Sequence, residues 1–161
     1  LHNSRPMDHV ASIYPKDDIT GLQVFDPVWV SGCSLLHDPF PSPGTLTYLE
    51  EIIDQKEYLM QNAPSVFGNS GGGLFHGAEG HLLGLTSRIT AVQLGFGIDV
   101  MTWMGFSTHP KRMYEFMEYH ELQFLYDPSD NYYDAMKRRE HRQKEALKDL
   151  LMERGSKGEE V

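Results

Sequence analysis

The reading of this chain turns on residues 63–75, Ala63-Pro64-Ser65-Val66-Phe67-Gly68-Asn69-Ser70-Gly71-Gly72-Gly73-Leu74-Phe75. A serine hydroxyl is a weak nucleophile until a base takes its proton and a rigid turn presents the oxygen. Glycines on both sides of Ser70 let the backbone reverse sharply and bring amides close to a substrate carbonyl. The amides of Gly68 and Ser70 are the pair expected to form an oxyanion hole, where negative charge develops during acyl transfer. The plainer alternative is a glycine-rich hairpin loop holding an incidental serine.

Outward from this segment the pattern is one of short strands and turns. Residues 9–14 (HVASIY), 19–25 (ITGLQVF) and 28–36 read as strands, the first two separated by Pro15-Lys16-Asp17. Residues 37–44 hold three prolines and read as irregular. Residues 46–53 and 57–61 are strands about a turn at Asp54-Gln55-Lys56, and residues 80–90 and 91–100 give two more. Many short strands suggest an antiparallel barrel or sandwich. Residues 110–121 read as a helix with Met113, Phe116, Met117 and His120 on one face. Residues 129–154 read as a long, charged, solvated helix, followed by a frayed tail, GSKGEEV.

The order of these pieces resembles that of chymotrypsin- and trypsin-like serine proteases, especially the disulfide-free HtrA-type and viral or phage branches. In that family the nucleophile loop leads into a strand, a hairpin, and then a strand of the form of Leu83-Gly84-Leu85 lining the substrate cleft. The family motif ends Gly-Gly-Pro, whereas Gly73 stands here in place of the proline. The resemblance implies a mainly β, chymotrypsin-like double barrel followed by C-terminal helices, with Ser70 as nucleophile. Residues 14–22 resemble the segment carrying the triad aspartate, which implies Asp18, with Asp17 as second choice, as the acid orienting a histidine. Residues 32–39 are similar to a family strand and loop, with His37 and Asp38 where glycine is usual. Thr86, Ser87 and Arg88 fall where the family pairs its backbone with an extended peptide, Gly95 and Gly97 where it builds the far wall of the specificity pocket, and residues 110–121 where it has a closing helix. The resemblance covers about residues 8–126.

On this reading residues 1–44 are the remainder of a first barrel and the connection out of it. Residues 45–126 are the second barrel with the nucleophile loop, and 127–161 a charged helical extension. The triad histidine should precede the aspartate, yet only His2 and His9 do so, both too near it. An upstream segment or separate chain is therefore expected to complete the first barrel and supply the histidine. The remaining histidines, His37, His76, His81, His109, His120 and His141, follow the aspartate. His76 and His81 flank one hairpin but lack a third metal ligand, so no metal and no organic cofactor is implied.

Composition narrows the function classes. A net charge of −9 over 161 residues argues against a nucleic-acid binder. The single cysteine, Cys33, excludes an internal disulfide and is expected to be a small buried thiol. There is no signal-peptide pattern, and no apolar run is long enough to span a bilayer. The expectation is a serine endopeptidase acting on polypeptides through an acyl-enzyme on Ser70, in a cytoplasmic or virion setting. A small or apolar side chain is expected at the cleavage site, because Pro64 and Ser65 place no charge at the pocket floor. The alternative is a protease-fold structural or binding protein without catalysis, such as a virion component. The C-terminal helix could serve an oligomer or larger assembly.

Overall fold

The computed structural model describes residues 9–77 and 79–157, which separate into two units, one ending at Tyr114 and one beginning at Glu115.

Alternation of apolar and polar residues drives the first unit. In β1 (Pro27–Gly32), Val28 and Val30 are buried while Pro27 and Trp29 are exposed, the period of two that a sheet with one dry face requires. Five further strands follow: β2 (Phe40–Ile53), β3 (Lys56–Gln61), β4 (Gly73–His76), β5 (His81–Leu94) and β6 (Gly97–Thr108). All neighbours are antiparallel, and the strands close into a ring in the order β1-β2-β3-β6-β5-β4. Val28, Val30, Leu46, Leu59, Leu74 and Leu83 form the centre of its core, joined by Tyr14, Leu22 and Ala63. Every strand of the described residues belongs to this one ring; residues 9–26 contribute no strand to a first barrel. The ring begins at Pro27, so the expected division at residues 44 and 45 falls inside β2.

Several local expectations are corrected. Residues 19–25 are not a strand, because Lys16–Gly21 is a 3-10 helix. Ile19 and Leu22 both pack on the core, and a spacing of three suits a helix of three residues per turn. Of residues 9–14, Ile13 alone makes an isolated parallel bridge, to Leu82. The strand expected over 28–36 stops at Gly32 and gives way to a short 3-10 turn, Ser34–Leu36. Cys33 in that exit loop is exposed, not buried.

The prolines of residues 37–44 do not prevent a strand. Pro41 and Pro43 lie opposite Ser31 and Trp29 of β1, while β2 first meets β3 at Leu46. Their missing N–H groups therefore cost no bond on the second side of β2. Residues 54 and 55 turn as expected, with positive φ at Asp54 (52°) and Gln55 (61°), the pattern of a tight hairpin turn. The boundary expected at residues 90 and 91 lies instead at Gly95, whose φ of 60° makes the β5–β6 turn.

Helix α1 (Pro110–Tyr119) forms where expected, but its buried positions are Pro110, Tyr114 and Met117, not the stripe of Met113, Phe116 and His120; Phe116 is 59% exposed. The Tyr114 hydroxyl donates to Tyr14 O at 2.8 Å.

In the second unit, α2 (Tyr132–Lys157) is capped by Asn131. The Asn131 carboxamide accepts from Asp134 N at 3.0 Å and donates back to Asp134 Oδ2 at 2.8 Å. Arg138 bonds both Glu121 (2.7 Å) and Asp130 (2.6 Å), and Arg142 bonds Glu121 and the Tyr119 carbonyl. Arg139 takes the carbonyls of His120 (2.8 Å) and Glu121 (3.0 Å). The C-terminal carbonyls that follow α1 are thus satisfied by guanidinium groups. Of the tail expected to fray, residues 155–157 are helical and 158–161 lie outside the described residues. No described helix is long and apolar enough to cross a membrane.

Candidate active site

Ser70 sits on the connection from β3 to β4, exposed at the tip of a turn that backbone bonds pin on both sides. Asn69 N donates to Val66 O (3.1 Å), Gly72 N to Asn69 O (2.9 Å), Gly71 N to Thr86 O (2.7 Å) and Thr86 N to Gly72 O (2.8 Å). Gly68 holds φ at 100° and Gly71 at 82°, both left-handed. At Gly68 there is a second constraint: a Cβ would stand 2.1 Å from Cys33 O, closer than atoms can pack. Only glycine fits there. Among the described residues the amides of Gly68 and Ser70 make none of these backbone bonds.

A cleft of about 150 Å³ opens beside the turn, lined by residues 66–70 and by Thr86, Ser87, Arg88 and Ile89 of β5. The structure therefore brings Ser70, Gly68, Thr86, Ser87 and Arg88 together. β4 pairs with β5 only as far as Gly73 and Leu85, so from Ser87 onward that side of β5 has no strand neighbour among the described residues. The residues leading from β3 into the turn hold buried polar structure. Gln61 Nε2 donates to Ser65 Oγ (2.9 Å), Ser65 Oγ to Ala63 O (3.1 Å), and Ser65 N to Thr102 O (2.7 Å). A Cβ at Gly105 would collide with Gln61 Nε2 at 2.2 Å, so glycine makes room for this carboxamide.

Arg88 carries the charge nearest the cleft. Its guanidinium donates to Asp54 Oδ2 at 2.7 Å in the β2–β3 turn and lies 5.5 Å from the centre of the Tyr58 ring. Arg112 faces the same ring at 5.1 Å. Burial pushes the Tyr58 phenol up, but the hydrogen bonds and charges of Arg112 and Arg88 outweigh it and hold the phenol below its usual range.

Other residues expected in the site lie elsewhere. Gly95 and Gly97 stand at the tip of the β5–β6 hairpin and do not line the cleft. Asp18 belongs to the 3-10 helix, not to the start of a buried strand, and lines a different cleft with Tyr14, His76, Glu79 and His81. There His76 Nε2 lies 3.4 Å from Asp26 Oδ2, and the His76 ring meets Tyr14 edge-on at 4.9 Å. His76 and His81 are directly opposite across β4 and β5, yet no group of three or more His, Cys, Asp or Glu among the described residues could hold a metal ion. None of the described histidines lines the Ser70 cleft. His2 lies outside the described residues.

Sequence reasoning missed Asn69, which is 1% exposed and bonded to Ser34, as well as Val66, Phe67 and Ile89 in the cleft wall. The available signal was the asparagine inside the glycine run, since a polar residue on a tight turn must find partners.

No family model matches the chain, and no curated protein sequence matches it. Solved structures do. The HtrA-type protease AlgW with a tripeptide matches with a TM-score of 0.54 at 20% identity, over 67% of this chain and 34% of that one. The AlgW S227A variant with a decapeptide matches with a TM-score of 0.56 at 20% identity, over 67% and 31%. This chain thus spans about a third of the length of those structures. At such identity the likeness is one of fold: six antiparallel strands in a ring and a C-terminal helix, as in HtrA-type, trypsin-like proteases.

Proposed function

We propose that this chain is the nucleophile-bearing barrel of a trypsin-like serine endopeptidase. The observation that carries this reading is the Ser70 turn: an exposed hydroxyl between two left-handed glycines, with the amides of Gly68 and Ser70 beside it and an open strand edge across the cleft. A peptide would lie extended along β5 from Ser87, taking main-chain bonds from that edge. Ser70 Oγ would attack the peptide carbonyl and pass its proton to a histidine. The tetrahedral oxyanion would be held by the amides of Gly68 and Ser70. Breaking the C–N bond releases the amine, which takes that proton, and leaves an acyl group on Ser70 for water to remove. The peptides named with the similar solved structures agree with this substrate class. Because no described histidine lines the cleft, and Asp18 lines another, the base and the acid that orients it come from a segment docked beside Ser70. A cytoplasmic or virion setting goes with the single cysteine.

The lack of a described histidine in the cleft favours a second reading, a protease-fold binding protein that keeps the turn without turnover. A serine-directed fluorophosphonate probe, applied to the protein as isolated from its source, separates the two. Modification mapped to Ser70, and lost in Ser70→Ala, supports the endopeptidase. An unmodified Ser70, with a control protease labelled in the same sample, overturns it.

A further inference from the structure

The loop leaving β1 is the mould against which the Ser70 turn is cast. A Cβ on Gly72 would meet Ser31 O at 2.2 Å, one on Gly68 would meet Cys33 O at 2.1 Å, and one on Gly32 would meet Asn69 Cα at 2.9 Å. Leu35 N donates across the same seam to Phe67 O at 2.9 Å. One side-chain bond spans it: Ser34 Oγ to Asn69 Oδ1, 2.7 Å, with Ser34 only 5% and Asn69 only 1% exposed.

The direction of that bond follows from its neighbour. Val66 N, which can only donate, points at Asn69 Oδ1 at 3.3 Å, so the oxygen of the carboxamide faces both partners and Ser34 must be the donor. Asn69 Nδ2 is then left buried with no hydrogen-bond partner. The carboxamide is held on its oxygen side alone, by one short bond and one long one. Without the Ser34 hydroxyl, only the long contact opposes its rotation, and rotation would offer Nδ2 a new set of acceptors. Asn69 stands between Gly68 and Ser70, so any turn of its side chain is felt by both amides.

We propose that Ser34 is a positioning residue for the Ser70 turn: its hydroxyl locks the Asn69 carboxamide, and through it the backbone that carries the Gly68 and Ser70 amides. This rests on Ser70 as nucleophile, and the test separates the two ideas. In the protein as isolated, Ser34→Ala is expected to slow fluorophosphonate modification of Ser70 by about tenfold, the loss that follows one buried hydrogen bond. It is also expected to move the amide resonances of Gly68 and Ser70, a readout that needs no catalysis. Ser34→Thr, which keeps the hydroxyl, should restore both. Ser34→Cys, close in shape but a weak donor, should fall between and serves if the alanine variant does not fold. Unchanged Gly68 and Ser70 resonances in Ser34→Ala, or in Ser34→Cys where that variant is used, overturn the proposal. If Ser70 of the unaltered chain takes no probe, the nucleophile reading fails while the resonances still decide the role of Ser34.

Discussion

Tyr114 and Tyr14 are joined by one short bond, the hydroxyl of the first donating to the backbone carbonyl of the second at 2.8 Å. It ties the start of α1 to the segment that Leu82 holds against β5, where Tyr14 N donates to Leu82 O (2.9 Å) and Leu82 N to Ser12 O (2.7 Å). Tyr114 is 3% exposed. Tyr114→Phe would leave the Tyr14 carbonyl without this donor, and we expect a loss of about 1–3 kcal/mol in denaturant unfolding. An unchanged midpoint would show that another group replaces the hydroxyl.

The same pair sets an alkaline limit. Burial raises the phenol of Tyr114, with Asp17 adding to it against Lys16, and burial together with Asp18 and Asp26 raises that of Tyr14. A phenol that keeps its proton more tightly when folded stabilises the fold fully below its unfolded pKa of about 10, and that contribution is lost as pH rises through the folded value. Unfolding free energy is therefore expected to fall above pH 10, and to fall less steeply in Tyr14→Phe.

Glycines in the Ser70 turn should separate by what surrounds them. Gly68→Ala meets both a left-handed backbone and the Cys33 carbonyl, and we expect loss of Ser70 modification with clear destabilisation. Gly71→Ala has open space and bears only the backbone cost, about 1 kcal/mol. Equal effects of the two in thermal melts would contradict the steric account.

The α2 cap offers an independent test in the second unit. Asn131→Ala removes an acceptor for Asp134 N and should cost about 1 kcal/mol, read as lost helical ellipticity on mild heating.

Acid should act at the same end of α2. Hydrogen bonds from Arg138 hold the Asp130 carboxyl below its usual range, and those from Asn131 and Lys137 do so for Asp134. A depressed folded pKa gives stability that is present above the unfolded value, near 4, and lost as pH falls through the folded one. Ellipticity of α2 should therefore hold at pH 5 and decline below pH 4; a decline already complete at pH 5 would exclude these carboxylates as the cause.

What could be read in advance follows the range of the interactions. The hairpin of β2 and β3 was legible because Asp54 and Gln55 interrupt alternating residues, and α1 and α2 because their periods are long. The Ser70 turn was legible because Gly68 and Gly71 advertise left-handed backbone. The Lys16–Gly21 helix was not, since Ile19 and Thr20 are β-branched and six residues are too few to show a period. The β2 prolines misled because whether a missing N–H matters depends on which strands lie beside it. Pairs such as Ser34 and Asn69 leave no local trace at all, and the misplaced face of α1 reflects partners that its own residues do not name.

Ring closure carries one last consequence, in the order of folding events. β4 is the strand that seals the ring, meeting β1 through Val28 and His76 on one side and β5 through Gly73 and Leu85 on the other. The Ser70 turn leads directly into it. Local hairpins such as β2–β3 and β5–β6 can form early, because they close short loops, whereas the β1–β4 contact must wait for the long one. The turn is therefore completed in the same late step that seals the ring, so an immature chain should gain most of its sheet before the Ser70 turn is set.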